Sequence, residues 1–207
     1  MEDLGAATDD RVILAWLQAE IESPRFQAYL IGDPPKPTHL ARGLALARNP
    51  DLKNAQHNAE RRRIIASAHG FGRGALIFAG LEDDIIWRKV RASIDDVAAM
   101  LYSNRNATWT TLAPATRKVA EGASNASRVF SGDDTNMHIL SLARIICHSE
   151  PTPEVSELIC LRLPDGSISL LEGHARATAI VMEGHKLPRG VEAFIGDSAS
   201  IKSWAYL

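Results

Sequence analysis

Apolar and polar positions alternate with two different periods along this chain. From Asp9 to Glu22 the apolar residues Val12, Ile13, Trp16, Leu17 and Ile21 recur at helical spacing, with acids in the first turn. Ser23-Pro24 ends that helix, and Pro24 opens a short second one through Tyr29. Asp33-Pro34-Pro35-Lys36-Pro37 reads as a stiff connector, and a helix is expected from His39 to Arg48. Asn49-Pro50 offers an N-cap and a first-turn proline for a helix running to Ala68, broken by the glycines of Gly70-Phe71-Gly72-Arg73-Gly74. That glycine loop follows a helix rather than a strand, so it reads as a hinge rather than a phosphate loop.

Asp83 to Arg91 fits a strand or a turn followed by a helix. Ser93-Ile94-Asp95-Asp96 caps a helix to about Tyr102, and Pro114 to Gly122 predicts another. Ser124 to Asp134 is polar and reads as loop. Thr135 to Cys147 is apolar on more than one face, which predicts a buried helix with His138 in the core.

After Pro151 and Pro153 the period changes to that of strands. Ile159 to Leu163 and Ser167 to Leu171 flank Pro164-Asp165-Gly166, a hairpin signature. Glu172-Gly173 then turns the chain into a helix from His174 to about Glu183, closed by Gly184. Val191 to Ile195 reads as a strand returning to the sheet, and Ser198 to Trp204 as a last helical turn. The expected fold class is α+β: a mostly helical region over 1–130, then a small α/β core with a mixed sheet over 131–207.

Apolar residues make up 45% of the 207 positions and charged ones 23%, enough to fill a core. The formal charge of -2 argues against a dedicated nucleic-acid binder. The run Arg61-Arg62-Arg63 shares its helix with Glu60 and reads as a solvated face. No stretch approaches the ~20 apolar residues that span a bilayer. Residues 1–10 are acidic and polar, unlike a signal peptide. A cytoplasmic protein without a membrane partner is expected. Cys147 and Cys160 lie in apolar segments and read as core thiols of a reducing compartment.

The chemistry concentrates at the strand–turn–helix. A helix N-terminus presents unpaired N–H groups and the positive end of its dipole, which attract anions. The amides from Gly173 through Ala175 to Arg176 would hold phosphates there, Arg176 adding a guanidinium fork and Thr178 a hydroxyl. Glu172 would act as base or as ligand to Mg²⁺, and His174 with Arg176 would neutralise developing charge. The competing reading is structural: Glu172 and Arg176 pair across the turn while His174 caps the helix. Trp109 and Arg117 form a second candidate, a base stacking on the indole while Arg117 meets a phosphate, set against plain core packing of Trp109. No His/Cys/Asp spacing resembles a zinc site.

The hairpin followed by Glu172-Gly173-His174-Ala175-Arg176-Ala177-Thr178-Ala179 resembles the nucleotide-binding turn of the ParB/sulfiredoxin superfamily, over roughly residues 135–196. The resemblance implies a small α/β fold in which a glycine, polar residues and an arginine at a helix start bind nucleotide phosphates. His174 stands where sulfiredoxins place a reactive cysteine. Only one arginine, Arg176, stands where the partition proteins have two. The order is closer to the kinase-like members. The implied function is that of a phosphotransferase or nucleotide hydrolase using a nucleoside di- or triphosphate and Mg²⁺ on a small-molecule substrate. The alternative is a non-catalytic, nucleotide-gated module for a protein or DNA partner.

Overall fold

Strand alternation sets the architecture. In β3 (Leu158–Arg162), Leu158 and Cys160 face one apolar cluster while Ile159 and Leu161 face another. The same division runs through β4 (Ile168–Glu172) and β5 (Val191–Asp197), where Val191, Ala193 and Ile195 oppose Phe194. Strands buried on both faces read as continuous apolar runs, which is why these segments were legible as strands without polar alternation. The computed structural model describes residues 1–21, 23–31, 37–68, 76–81, 84–126, 134–149, 151 and 155–207.

The fold is α+β with a mixed sheet. Strand order is β1-β2-β5-β3-β4, with β1 at Glu2–Ala7 and β2 at Ile86–Ala92. The β3–β5 pair is parallel and the other pairs are antiparallel. One cluster joins the sheet to α1 (Asp9–Glu20), α2 (Pro24–Ile31), α3 (Pro37–Arg48) and α4 (Ala55–Ala68), through residues such as Trp16, Phe26, Leu46 and Ile65. The other joins it to α5 (Ile94–Ala99), α6 (Ala107–Leu112), α7 (Val119–Ala126), α8 (Asp134–His148) and α9 (His174–Met182). Helices thus cover both faces of a single sheet.

This topology departs from the expected division at residue 130. β1 and β2 belong to the same sheet as the hairpin, and β2 pairs along its whole length with β5. β1 itself had no periodic signal. It is an edge strand of small and acidic residues, held by backbone pairing to β2 and by Glu2–Arg91 and Asp3–Arg88 ion pairs.

Several expected boundaries also move. Asn49-Pro50 precedes a turn rather than a helix. α4 begins at Ala55, and Asn54 accepts from the His57 amide at 3.0 Å. Arg61 is fully buried rather than solvated. α5 has the expected Ser93–Asp96 capping box but stops at Ala99, because the next residues join the sheet edge: the Leu101 amide donates to Ile168 O at 2.8 Å and Leu101 O accepts from the Leu170 amide at 2.9 Å. The expected helix over 114–122 is split by a turn between α6 and α7, where Arg117 adopts φ 60°. α8 presents Met137 and Ile145 at 57% and 51% exposure, and His138 is exposed rather than in the core. Of the proline connector expected over 33–37, all but Pro37, which opens α3, lies outside the described residues, as do the glycine loop over 70–74 and most of the loop expected over 124–134.

Candidate functional site

Three short-range features build the turn after β4. The hairpin loop closes with Gly166 at φ 85° and the Asp165 carboxylate accepting from the Ser167 amide at 2.9 Å. β4 then delivers Glu172 opposite Ile159. Gly173 caps α9 at φ 92°, in the left-handed region that a side chain disfavours. A Cβ there would lie 2.7 Å from the Leu158 side chain and 2.9 Å from Arg176 Nη2, so the glycine is also required by close approach. Gly173 supplies no side-chain cap, so no side-chain oxygen of the cap residue occupies the amides of His174, Ala175 and Arg176.

Charged groups around this corner are engaged with one another. Arg176 Nη2 donates to Glu172 Oε2 at 2.6 Å and to Glu157 O at 3.2 Å. Both side chains of the ion pair are about 15% exposed, a setting in which losing one partner strands the other. Arg176 Nε is buried without an acceptor. The Glu157 carboxylate in turn accepts from Arg11 and lies 3.5 Å from Lys89 Nζ. Lys89 and Arg91 both pair with Glu192. A chain of alternating charge therefore runs from Glu157, just before β3, across β2 and β5, and it touches the α9 turn through the Glu157 carbonyl. Neither Arg11 nor Glu157 carries a sequence signal for this role, since they stand 146 positions apart.

His174 is held against protein rather than solvent. Its ring stacks on Trp109 at 5.1 Å and Tyr102 at 6.0 Å, and Nε2 lies 3.2 Å from Ser103 Oγ. Burial, with Arg105 and Arg176 nearby, pushes the imidazole down from its ordinary 6.5 to about 3. It is neutral at physiological pH, so it offers a hydrogen-bonding nitrogen and not the positive charge expected of it. Thr178 is fully buried; its hydroxyl donates to His174 O at 2.8 Å and meets Tyr102 Oη at 2.7 Å, leaving it directed into the core rather than to a ligand.

The second candidate pair separates. Trp109 joins the His174 stack, so the structure brings it to the turn. Arg117 instead donates to Tyr102 O at 2.8 and 3.2 Å, bracing the segment that carries Tyr102 and Ser103. Ser103, missed in the sequence, follows Tyr102 and is buried beside His174.

A Mg²⁺ ion at this turn would depend on ligands from outside the protein. Among the described residues no three His, Cys, Asp or Glu groups converge. Glu172 would supply one carboxylate, with phosphate oxygens and water completing the shell that this ion prefers. Both cysteines are free, and burial raises the Cys160 thiol far above its usual range, consistent with a packing role. Among the described residues no helix is long and apolar enough to cross a membrane.

The neutral imidazole has a measurable consequence. Between pH 6.5 and about 3 the unfolded chain takes up a proton that folded His174 refuses, so its contribution to stability is complete above about 6.5 and drains away as pH falls. The urea midpoint should therefore fall further between pH 7 and 4.5 in wild type than in His174→Gln; parallel falls would refute the assignment.

The chain matches no family model, no curated protein and no solved structure.

Proposed function

We propose that this protein is a nucleotide-binding enzyme, a phosphotransferase or nucleotide hydrolase, whose phosphate site is the turn from Gly173 to Arg176. One observation carries the reading. A guanidinium with an unsatisfied buried Nε stands beside a helix start whose cap supplies no acceptor. An incoming phosphate would take the first-turn amides and draw Arg176 from Glu172, since a dianion outcompetes a single carboxylate for the fork. Glu172, released, becomes the base that receives a proton from the acceptor hydroxyl, or a ligand to the Mg²⁺ travelling with the nucleotide. His174 orients through its neutral ring, with Trp109 as its backing plate. The likeness of this turn to the ParB/sulfiredoxin superfamily supports the same reading.

Titration calorimetry with ATP, ADP and CTP in the presence of Mg²⁺ tests it. At least one nucleotide should bind wild type, and Arg176→Ala should weaken binding at least ten-fold, as loss of a charge-assisted contact worth about 1.5–3 kcal/mol requires. Equal, undetectable binding in both proteins removes the proposal.

The second reading, a nucleotide-gated interaction module, is favoured by the Glu172–Arg176 ion pair itself, which forms a closed clasp that a phosphate would open. A module of this kind binds nucleotide with negligible turnover and changes its oligomeric state. Steady-state phosphate release alongside sedimentation separates the two.

A further inference from the structure

A cavity lies away from the α9 turn, at the ends of the parallel strands where β3 and β5 begin. It has a volume of about 990 Å³, within the size range of small-molecule sites. Its charged lining comprises Arg48, Arg91, Lys186 and Arg189 against Glu157 and Glu192, four cations to two carboxylates. Among the described lining residues cations thus exceed carboxylates by two, in a chain whose formal charge is -2.

Both carboxylates are already neutralised from the sheet side. Glu157 pairs with Arg11 and Lys89, neither of which lines the cavity, and Glu192 pairs with Lys89 and Arg91. The side chains of Lys186 and Arg189 have no hydrogen-bond or ion-pair partner among the described residues, although they stand on a fixed turn. The Gly190 amide donates to Leu187 O at 2.9 Å, Pro188 restricts the first turn position, and Gly190 sits at φ +69° against Ala92 O, where a Cβ would come within 2.2 Å. A turn of fixed backbone thus carries two cations with uncommitted side chains to the lining of the cavity. The remaining lining is mixed, with apolar Ile21, Val155 and Leu187 beside polar Gln18 and Ser156.

We infer that this cavity binds a phosphomonoester with an apolar or aromatic body: the dianion meets Lys186 and Arg189, and the body lies on the apolar wall. Two cations match the charge of a phosphate dianion, and an arginine fork suits its oxygens. This site is distinct from the Gly173–Arg176 turn and does not depend on the reading given to that turn.

Phenyl phosphate, titrated into the full chain by calorimetry, tests the inference, with phenylacetate as the carboxylate counterpart. Wild type should bind phenyl phosphate saturably and at least five-fold more tightly than phenylacetate. The double charge reversal K186E/R189E, at two positions that contribute no described ion pair, should retain the wild-type melting temperature and lose at least ten-fold in affinity. Arg176→Ala should bind phenyl phosphate within two-fold of wild type. The inference is overturned by absent saturable binding in wild type, or by unchanged affinity in K186E/R189E. Loss of binding in Arg176→Ala with retention in K186E/R189E also overturns it, placing the phosphate at the α9 turn instead.

Discussion

Arg61→Ala should cost about 3 kcal/mol of folding stability, a large share of the 5–15 kcal/mol typical of a domain. Arg61 is 0% exposed, and among the described residues no carboxylate hydrogen-bonds to it. It donates instead to Leu46 O at 3.0 Å, to Asn58 Oδ1 at 2.6 Å, and to Asn49 O and Asp51 O. Leu46 and Asn49 are the last carbonyls of α3 and the residue just beyond it, where the negative end of the helix dipole favours a cation. One side chain of α4 thereby ties off α3 and fixes the turn between them. Removing it leaves two buried acceptors, Leu46 O and Asn58 Oδ1, without this donor, and each such orphan carries a desolvation penalty of about 1–3 kcal/mol. Arg61→Lys should recover only part of the loss, since an ammonium cannot reproduce the spread of a planar fork. Urea unfolding compared with Arg62→Ala decides it: Arg62 is 41% exposed and its pairs with Asp9 and Asp10 are superficial. Similar midpoints for Arg61→Ala and Arg62→Ala would show that the buried guanidinium contributes nothing special.

Phe194→Ala should be at least as damaging, at about 4 kcal/mol. Phe194 lies on β5, between β2 and β3, and is fully buried in the cluster shared with α1 to α4. Its ring also carries cations: the Arg11 guanidinium lies 5.2 Å from the centroid and Lys89 Nζ 6.0 Å. Those same two groups neutralise Glu157. Truncation therefore opens a cavity in the sheet and releases the cations that hold the carboxylate between the α9 turn and the basic cavity. Phe194→Leu keeps most of the volume and should lose less than about 1.5 kcal/mol, separating burial from the aromatic contribution. A loss below 1 kcal/mol for Phe194→Ala in denaturant unfolding would contradict the packing described.

The second effect bears on function. Phe194 joins groups distant in sequence and stands, through Arg11, Lys89 and Glu157, behind the surfaces proposed to meet phosphate. Glu157 shows the coupling most plainly. Its carbonyl holds Arg176, its carboxylate holds Arg11, and its side chain lines the cavity.

What the sequence determined by itself was everything governed by local chemistry. The Ser93–Asp96 capping box, the Asp165-Gly166 hairpin turn, the turn at Gly173 and the start of α9 at His174 depend on neighbours within a few residues, and each is legible in the sequence. The clasp between Glu172 and Arg176, four apart, was also legible as an alternative. Tertiary structure decided what required distant partners. β1 is a strand only because β2 offers it a ladder 80 or more positions away, and Arg61 is buried only because α3 ends beside it. His174 is neutral only because Tyr102, Trp109 and Ser103 close around it. Side-chain type encodes the local turn, whereas burial, and with it charge state and pairing, is a property of packing that no short window of sequence contains.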